Sequence, residues 1–164
     1  MRFLTALVVL LLVSPASVLP AAAADALSSP VGLWEPLDSS GKPLGLIRIY
    51  QVKGLYNGRI EPMSKAEDHS AKCARCTDDR HDKPIIGLEL LRHLRPENGK
   101  YVGGAILDPD TGHIWSCELW LIHGGHQAIM RGYILFPFLG RSLTWQRVAS
   151  APPPPSSAPS PSSQ

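Results

Sequence analysis

Residues 101–122 read YVGGAILDPDTGHIWSCELWLI, in which two apolar runs flank a short polar run. In the polar run, DPDTG at 108–112, Pro109 presets its φ angle and Gly112 is free to adopt a positive φ, so a tight turn is predicted. The flanking runs contain β-branched and aromatic residues, which favour strands. Because strands joined by so short a link pair antiparallel, we predict a β-hairpin over 101–122.

The same alternation of apolar segment and turn extends over the rest of 31–148. Further turn signals are Lys53-Gly54, ENGK at 97–100 and Gly124-Gly125. The other apolar segments lie at 32–34, 44–52, 55–62, 84–94, 126–135 and 143–148. Segment 84–94 is compatible with a buried strand or with a short helix, because its length does not decide between them.

About eight short strands linked by tight turns predict a single all-β domain over 31–148. A series of sequential antiparallel strands either leaves two edges exposed or closes on itself. We favour closure into an up-and-down barrel whose interior holds side chains or one small ligand. An open sandwich is the alternative.

The two ends of this domain contain residues that fit a barrel. Gly32-Leu33-Trp34 stands at its start, and Arg147 lies on the last predicted strand. This arrangement resembles the lipocalin and calycin barrels, in which an arginine from the last strand packs over a tryptophan near the closed end. The resemblance implies a structural role for Gly32, Trp34 and Arg147, with Arg141 as second choice for the arginine, and a cation–π contact between guanidinium and indole.

A wider set of motifs resembles an exported bacterial family known only as domain of unknown function 2147. The motifs are C-x-x-C at 73–76, PIIGL at 84–88, GGAILDP at 103–109, RGY at 131–133 and LGR at 139–141 followed by Trp145. The resemblance covers 31–148. It implies a calycin-like barrel and a periplasmic or outer location, and no established reaction. The chain departs from the family pattern in its histidines, in HGGH at 123–126 and in its C-terminal tail.

The N-terminal segment predicts export. Arg2 precedes an apolar run and then small residues, AAAAD at 21–25, which is the layout of a signal peptide at 1–24 with cleavage after Ala23, Ala24 or Ala26. The apolar run is shorter than the ~20 residues of a spanning helix, so we expect no transmembrane span in the mature chain.

Removal of residues 1–24 lowers the net charge from +2 to +1, since Arg2 is their only charged residue. A chain so close to neutral gives no electrostatic reason to expect nucleic acid or an anionic membrane surface as a partner. At the other end, residues 149–164 are rich in proline and serine and predict a disordered tail.

The three cysteines are Cys73, Cys76 and Cys117. In an oxidising compartment we expect a structural disulfide between Cys73 and Cys76, which would staple the long polar loop 63–83. Cys117 lies on a strand and is expected to be buried and free, with a pairing to one of the loop cysteines as a minor alternative. A redox-active dithiol is another alternative, although C-x-x-C usually serves that purpose at a helix start that is missing here.

A metal site is the third interpretation of the cysteine pair. His69, Cys73, Cys76 and His81 supply four nitrogen and sulfur donors at spacings that could surround zinc. The default for histidines in a charged loop is exposure to solvent, so we expect no cofactor and keep zinc as a minor alternative. His123 and His126 flank two glycines, and a hairpin turn is favoured there over chelation.

The aromatic content bears on function. If the barrel has a cavity, its inward residues should include Trp115, Cys117 and Leu119, with Tyr101, Met130 and Tyr133 nearby. The sequence lacks a nucleophile elbow and a phosphate-binding glycine loop, so an enzyme is not favoured. We therefore expect a non-enzymatic binder of a small apolar or amphipathic molecule, located in the periplasm or outside the cell. A metal-binding or thiol-redox protein and an envelope interaction protein are the alternatives.

Overall fold

The computed structural model describes residues 27–64 and 70–148. The predicted leader, the tail at 149–164 and His69 lie outside them. The strands are β1 (Gly32–Leu37), β2 (Leu46–Val52), β3 (Leu55–Glu61), β4 (Glu89–Glu97), β5 (Lys100–Leu107), β6 (Ile114–Ile122), β7 (Gln127–Tyr133) and β8 (Gly140–Val148). Short 3₁₀ turns occupy His123–Gly125 and Pro137–Leu139. Within the described ranges, no helix has the length and apolar character needed to cross a membrane.

The eight strands form a closed antiparallel barrel. Each strand pairs with the next one along the chain, and β8 returns to pair with β1, so that Trp34 lies opposite Arg147. This closure confirms the predicted up-and-down barrel and excludes the open sandwich. Segment 84–94 contains no helix: residues 84–88 belong to the connection after β3, and β4 begins at Glu89.

A bulge in β4 brings two leucines of that strand into the barrel. Tyr56 and Gly58 on β3 pair with Leu94 and Leu91, so β4 contains one residue more than its partner between these pairs. His93 adopts a positive φ of 63° there. As a result, Leu91 and Leu94 are both fully buried, three positions apart, which simple alternation would not allow.

The side chain of Asn57 stabilises this bulge. Its Oδ1 accepts a hydrogen bond of 2.9 Å from the main-chain N–H of His93, and Asn57 is itself buried. A buried polar side chain is stabilising where it satisfies a main-chain group that irregular pairing has left without a partner.

Up-and-down topology places alternate connections at the same end of the barrel. We call one end the mouth; its connections lie at 38–45, 62–64 with 70–88, 108–113 and 134–139. We call the other end the floor; it contains the tight turns at 53–54, 98–99 and 123–126, together with the floor segment, residues 27–31.

The inner faces of the strands form the main core. Its buried members are Trp34, Ile47, Ile49, Leu91, Leu94, Cys117, Leu119, Ala128, Met130 and Trp145. A smaller cluster is formed by Cys73, Cys76 and Leu88 of the connection between β3 and β4 together with Leu107 of β5, and Ile60 packs against both clusters. The barrel is therefore filled through its middle, and any space for a ligand has to be sought at its ends.

Candidate functional site: the barrel mouth

The floor is closed by the floor segment packed beneath Trp34. The indole Nε1 of Trp34 donates a hydrogen bond of 2.8 Å to the carbonyl of Pro30, and the ring is fully buried. The guanidinium of Arg147 lies 4.2 Å from the centre of the same ring, where a cation–π contact is favourable. The structure thus places the predicted tryptophan and arginine together at the closed end.

Arg147 also binds main-chain carbonyls from two parts of the chain. Its guanidinium donates to the carbonyls of Ser29 (2.7 Å), Val31 (2.8 Å) and Gly125 (2.6 Å). Partial burial lowers the pKa of Arg147 from its usual value, but a guanidinium stays charged at neutral pH. One side chain therefore joins the floor segment to the β6–β7 turn.

Two adjacent glycines in that turn allow a test of how tightly the floor is packed. Gly124 and Gly125 both have positive φ (65° and 88°), but a Cβ at residue 124 would meet nothing within 4 Å, whereas one at 125 would overlap the carbonyl of Leu27. We expect Gly124→Ala to cost about 1 kcal/mol of unfolding free energy through φ strain alone. Gly125→Ala should cost about 2 kcal/mol more, because the floor segment has to move. Denaturant unfolding of both variants measures the difference, and equal losses would show that the floor segment is loosely held.

The mouth is defined by strand register. Leu143 pairs with Met130, and Trp145 pairs with Ala128. Since directly paired residues point to the same face of a sheet, Leu143 faces inward with these core side chains. Its exposure is 40%, compared with 1% for Trp145 one inward position deeper. Along β8 the inner wall therefore changes from buried at Trp145 to exposed at Leu143, while Met130, which pairs with Leu143 on β7, is 2% exposed.

Other inward residues at this height come from three neighbouring strands. Ile106 pairs with Trp115, and both are only partly buried. A Cβ added at Gly132 would lie 3.6 Å from Trp115 Cβ and 3.8 Å from Ile106 Cγ2, so this glycine also faces inward. We call Ile106, Trp115, Gly132 and Leu143 the mouth cup.

Two polar groups lie at the lower and upper limits of the mouth cup. Below it, the indole Nε1 of Trp145 is buried and has no hydrogen-bond partner among the residues described. Above it, Arg141 pairs with Gly132 and so lies on the inner face, exposed at the rim. A cup with apolar walls, a buried donor beneath and a cation at the rim suits an amphipathic molecule with acceptor or anionic groups.

The predicted cavity residues occupy four different places. Cys117, Leu119 and Met130 lie in the packed core and are at most 2% exposed. Burial raises the pKa of the Cys117 thiol to about 12, so this cysteine stays protonated. Trp115 is the member that reaches the mouth cup.

The two tyrosines of that set lie away from the mouth cup. Tyr101 packs against the floor side of the core and donates a hydrogen bond of 3.3 Å to the Ser28 carbonyl. Tyr133 pairs with Ser116 and so lies on the outer face, opposite to that of Cys117.

Sequence reasoning missed Gly132, Leu143 and Ile106 as candidate site residues. Because alternate residues of a strand face the same side, Gly132 could have been placed from Met130 and Leu143 from Trp145. Ile106 is harder to place, because Tyr101 and Gly104 pair with Leu119 and Cys117 across a second bulge, which changes the inward alternation along β5.

The cysteine loop, residues 70–88, contains a disulfide between Cys73 and Cys76 and lies over one side of the mouth. Arg75 donates a hydrogen bond of 3.1 Å to the Asp110 carbonyl, and a Cβ at Gly112 would overlap the backbone of Arg75. The loop is therefore docked on the β5–β6 turn.

The oxidised cysteines do not form the proposed metal site. Their sulfurs are bonded to each other and so supply no thiolate ligands, and His81 Nδ1 lies 2.8 Å from the carbonyl of Cys76. In the part of the chain that the structure describes, which leaves out His69, no group of three or more His, Cys, Asp or Glu side chains could hold a metal ion. Both cysteines are at most 2% exposed, which is unfavourable for thiol exchange with another protein.

A recess of about 320 Å³ beside the cysteine loop contains three cationic side chains, including Arg80 and Arg92. The buried Arg80 forms an ion pair of 2.6 Å with Asp78. Arg92 forms ion pairs with Asp79 (2.7 Å) and Glu89 (2.6 Å). Both guanidinium groups are thus already matched by carboxylates, and this network ties the loop to β4 rather than forming an anion site.

A cleft of about 600 Å³ lies at the floor end, between the floor segment and the turns at 98–99 and 123–126. It is separated from the mouth cup by the packed core. The predicted cavity residue Tyr101 lines this cleft, so it borders open space at the floor and not at the mouth.

A closed eight-stranded antiparallel barrel with this floor and mouth is a lipocalin-like barrel. In a structural comparison it matches protein HP1028 from the human pathogen Helicobacter pylori, which belongs to the lipocalin family, with a TM-score of 0.65 and 12% sequence identity over 74% of this chain and 84% of that one. At this identity the likeness shows the fold alone.

Residues 32–147 match the family model described as "Uncharacterized protein conserved in bacteria (DUF2147)", and the chain belongs to that family. This confirms the resemblance expected from the sequence motifs. Comparison with curated proteins gives no match.

Proposed function

We propose that this protein is a non-enzymatic binder of a small apolar or amphipathic molecule, held in the mouth cup, and that it works in the periplasm or outside the cell. The observation that supports this proposal is the change in exposure along the inner wall, from 1% at Trp145 to 40% at Leu143. Apolar side chains on a concave, partly open surface are the usual lining of a small-molecule site.

The size of the ligand follows from the packed core. Because the barrel is filled at and below Trp145, the ligand enters by one end and extends only as far as the mouth cup. Gly132 provides space there, since a larger side chain would occupy the inner wall beside Trp115 and Ile106. We therefore expect one apolar group, such as a single ring or a short acyl segment, to be buried while the rest of the ligand stays at the rim.

The proposed location is supported by the disulfide. A Cys73–Cys76 bond persists in oxidising compartments and is rare in reducing ones. This agrees with the signal peptide expected at 1–24. Fractionation of cells producing the full chain, with the mass of the mature protein determined, tests both the location and the cleavage position.

Gly132→Leu should abolish ligand uptake by filling the mouth cup. We expect the wild-type protein to increase the fluorescence of an apolar naphthalene dye, and the variant to bind that dye at least about tenfold more weakly, because a leucine occupies the volume of the dye's buried ring. Ser116→Leu is the matched control: it adds the same apolar bulk at an exposed outer position on β6 and should leave uptake unchanged.

Thermal unfolding of both variants would show that they are folded, and Gly132→Ala provides a milder change, since its Cβ makes only ordinary contacts. Absence of dye uptake by the wild-type protein, or equal uptake by the wild type and Gly132→Leu, would contradict the proposed site. If the dye results support the site, native mass spectrometry of protein purified from the envelope would identify the natural ligand by the mass lost on denaturation.

A further inference from the structure

The loop between β7 and β8 is apolar throughout and points away from the barrel. Residues 134–139 read ILFPFL, and we call this segment the apolar loop. Its exposed fractions are 55% for Ile134, 78% for Leu135, 54% for Phe136, 74% for Phe138 and 56% for Leu139. Scattered exposed apolar residues are ordinary, but a contiguous group marks an interaction site.

The conformation of the apolar loop keeps these side chains on the outside. Leu135 has a φ of 62°, a left-handed conformation that is unfavourable for a branched side chain. The rings of Phe136 and Phe138 stack in parallel at 5.5 Å instead of turning into the mouth cup.

Two arginines flank the apolar loop. Arg131 donates hydrogen bonds to the Pro137 carbonyl and to Ser142 Oγ (3.0 Å), which fixes one side of the loop. Arg141 follows the loop on the other side and forms no ion pair with any residue in the described ranges. No charged residue lies between these two arginines.

We infer that the apolar loop inserts into the interface of an anionic lipid bilayer, with Arg131 and Arg141 at the level of the phosphates. The five exposed apolar side chains and the two flanking arginines together match the apolar and anionic layers of such a bilayer. Interfacial elements bury their apolar side chains roughly 5–10 Å deep and keep basic residues at the headgroups. The near-neutral net charge does not oppose this, because the apolar side chains supply most of the attraction.

This inference goes beyond ligand binding and can hold without it. Because the apolar loop lies at the mouth, insertion would turn the mouth cup toward the bilayer surface. An amphipathic lipid, which is the class of ligand that the mouth cup fits, could then pass between membrane and barrel without crossing water.

Sedimentation with vesicles tests the inference. With vesicles of equal parts phosphatidylglycerol and phosphatidylcholine, the wild-type protein should sediment, and the Leu135→Asp/Phe138→Asp double variant should show a partition coefficient at least about tenfold lower, because two apolar side chains have been replaced by charged ones. Arg141→Gln should lower partitioning about fivefold on these vesicles and have little effect on pure phosphatidylcholine.

Val31→Asp/Val52→Asp is the matched control. It replaces two exposed apolar residues at the floor, 41% and 48% accessible, with the same added charge at the end opposite the apolar loop, and it should partition within about twofold of the wild type. Equal losses in the two double variants, or no sedimentation of the wild type, would overturn the inference. So would a wild-type dimer in solution that Leu135→Asp/Phe138→Asp dissociates, since the loop would then bind a second copy. Gly132→Leu should still sediment, so failure of the ligand site and failure of membrane binding are separable.

Discussion

Arg147→Met is expected to lower the free energy of unfolding by about 3 kcal/mol, because it leaves three main-chain carbonyls without their donor and removes the charge stacked on Trp34. Methionine preserves most of the apolar stem, so the decrease in unfolding free energy comes from loss of the guanidinium. Urea denaturation followed by tryptophan fluorescence measures it. The floor segment should also become accessible to protease before global unfolding, since its carbonyls at Ser29 and Val31 are no longer held.

Arg141→Met is the matched control for this prediction. Arg141 lies on the same strand and on the same inner face, but at the exposed rim, so its replacement should change stability by no more than about 0.5 kcal/mol. A similar loss of unfolding free energy in both variants would mean that removing any arginine from β8 destabilises the barrel, whatever that arginine binds. In that case the assignment of Arg147 as the residue that fixes the floor would be wrong.

Cys73→Ser combined with Cys76→Ser is expected to lower the free energy of unfolding by about 2 kcal/mol or more. Loop closure between residues three apart gives a figure of this size, and two buried sulfurs are also replaced by hydroxyls. The loss should appear as a lower urea midpoint, and the Arg75 contact with the β5–β6 turn should loosen, which hydrogen exchange at Gly112 would detect.

Thiol labelling provides the check on this prediction. The native wild-type protein should not react with iodoacetamide, because Cys117 is buried with a raised pKa and the other two cysteines are bonded. After denaturation without reductant, one thiol should react. Reaction of two or three thiols under those conditions would show that the loop cysteines are not paired in solution, and the stability loss would then need another explanation.

Local sequence signals predicted the strands well because the links between them are short. DPDTG at 108–112 and Lys53-Gly54 each form a tight turn whose geometry is decided by residues next to one another, and the strands on either side pair as expected. Segment 84–94 was ambiguous because its pairing depends on residues distant in the chain. Regular pairing of β4 begins at Glu89, where Arg59 on β3 becomes available as a partner.

The candidate site was predicted only in part, because which face a residue lies on depends on bulges and pairing. Tyr133 was expected near a cavity lined by Trp115, Cys117 and Leu119, but it pairs with Ser116 on the outer face. The bulge at His93 places Leu91 and Leu94 on the same side, and it is stabilised by Asn57, which is 36 positions away in the chain. No local pattern includes that contact.

The exposure of the apolar loop also could not be predicted from local sequence patterns. In the sequence, 126–135 and 143–148 are apolar segments, and ILFPFL at 134–139, which begins inside the first of them, has the composition of a core strand. Its exposure follows from closure of the barrel, which ends β7 at Tyr133, restarts β8 at Gly140, and leaves the residues between them beyond the last inward position.

The sequence by itself determined the fold class, the family and the spacing of the cysteine pair, because alternation, turn chemistry and motif order act between residues near one another in the chain. The tertiary structure decided which end of the barrel is closed and which apolar residues meet solvent. Both depend on contacts between distant residues, such as Arg147 with Ser29 at the floor and Leu143 with Met130 at the mouth. These pairs come together only when β8 closes on β1, and the proposed ligand site and membrane contact both result from that closure.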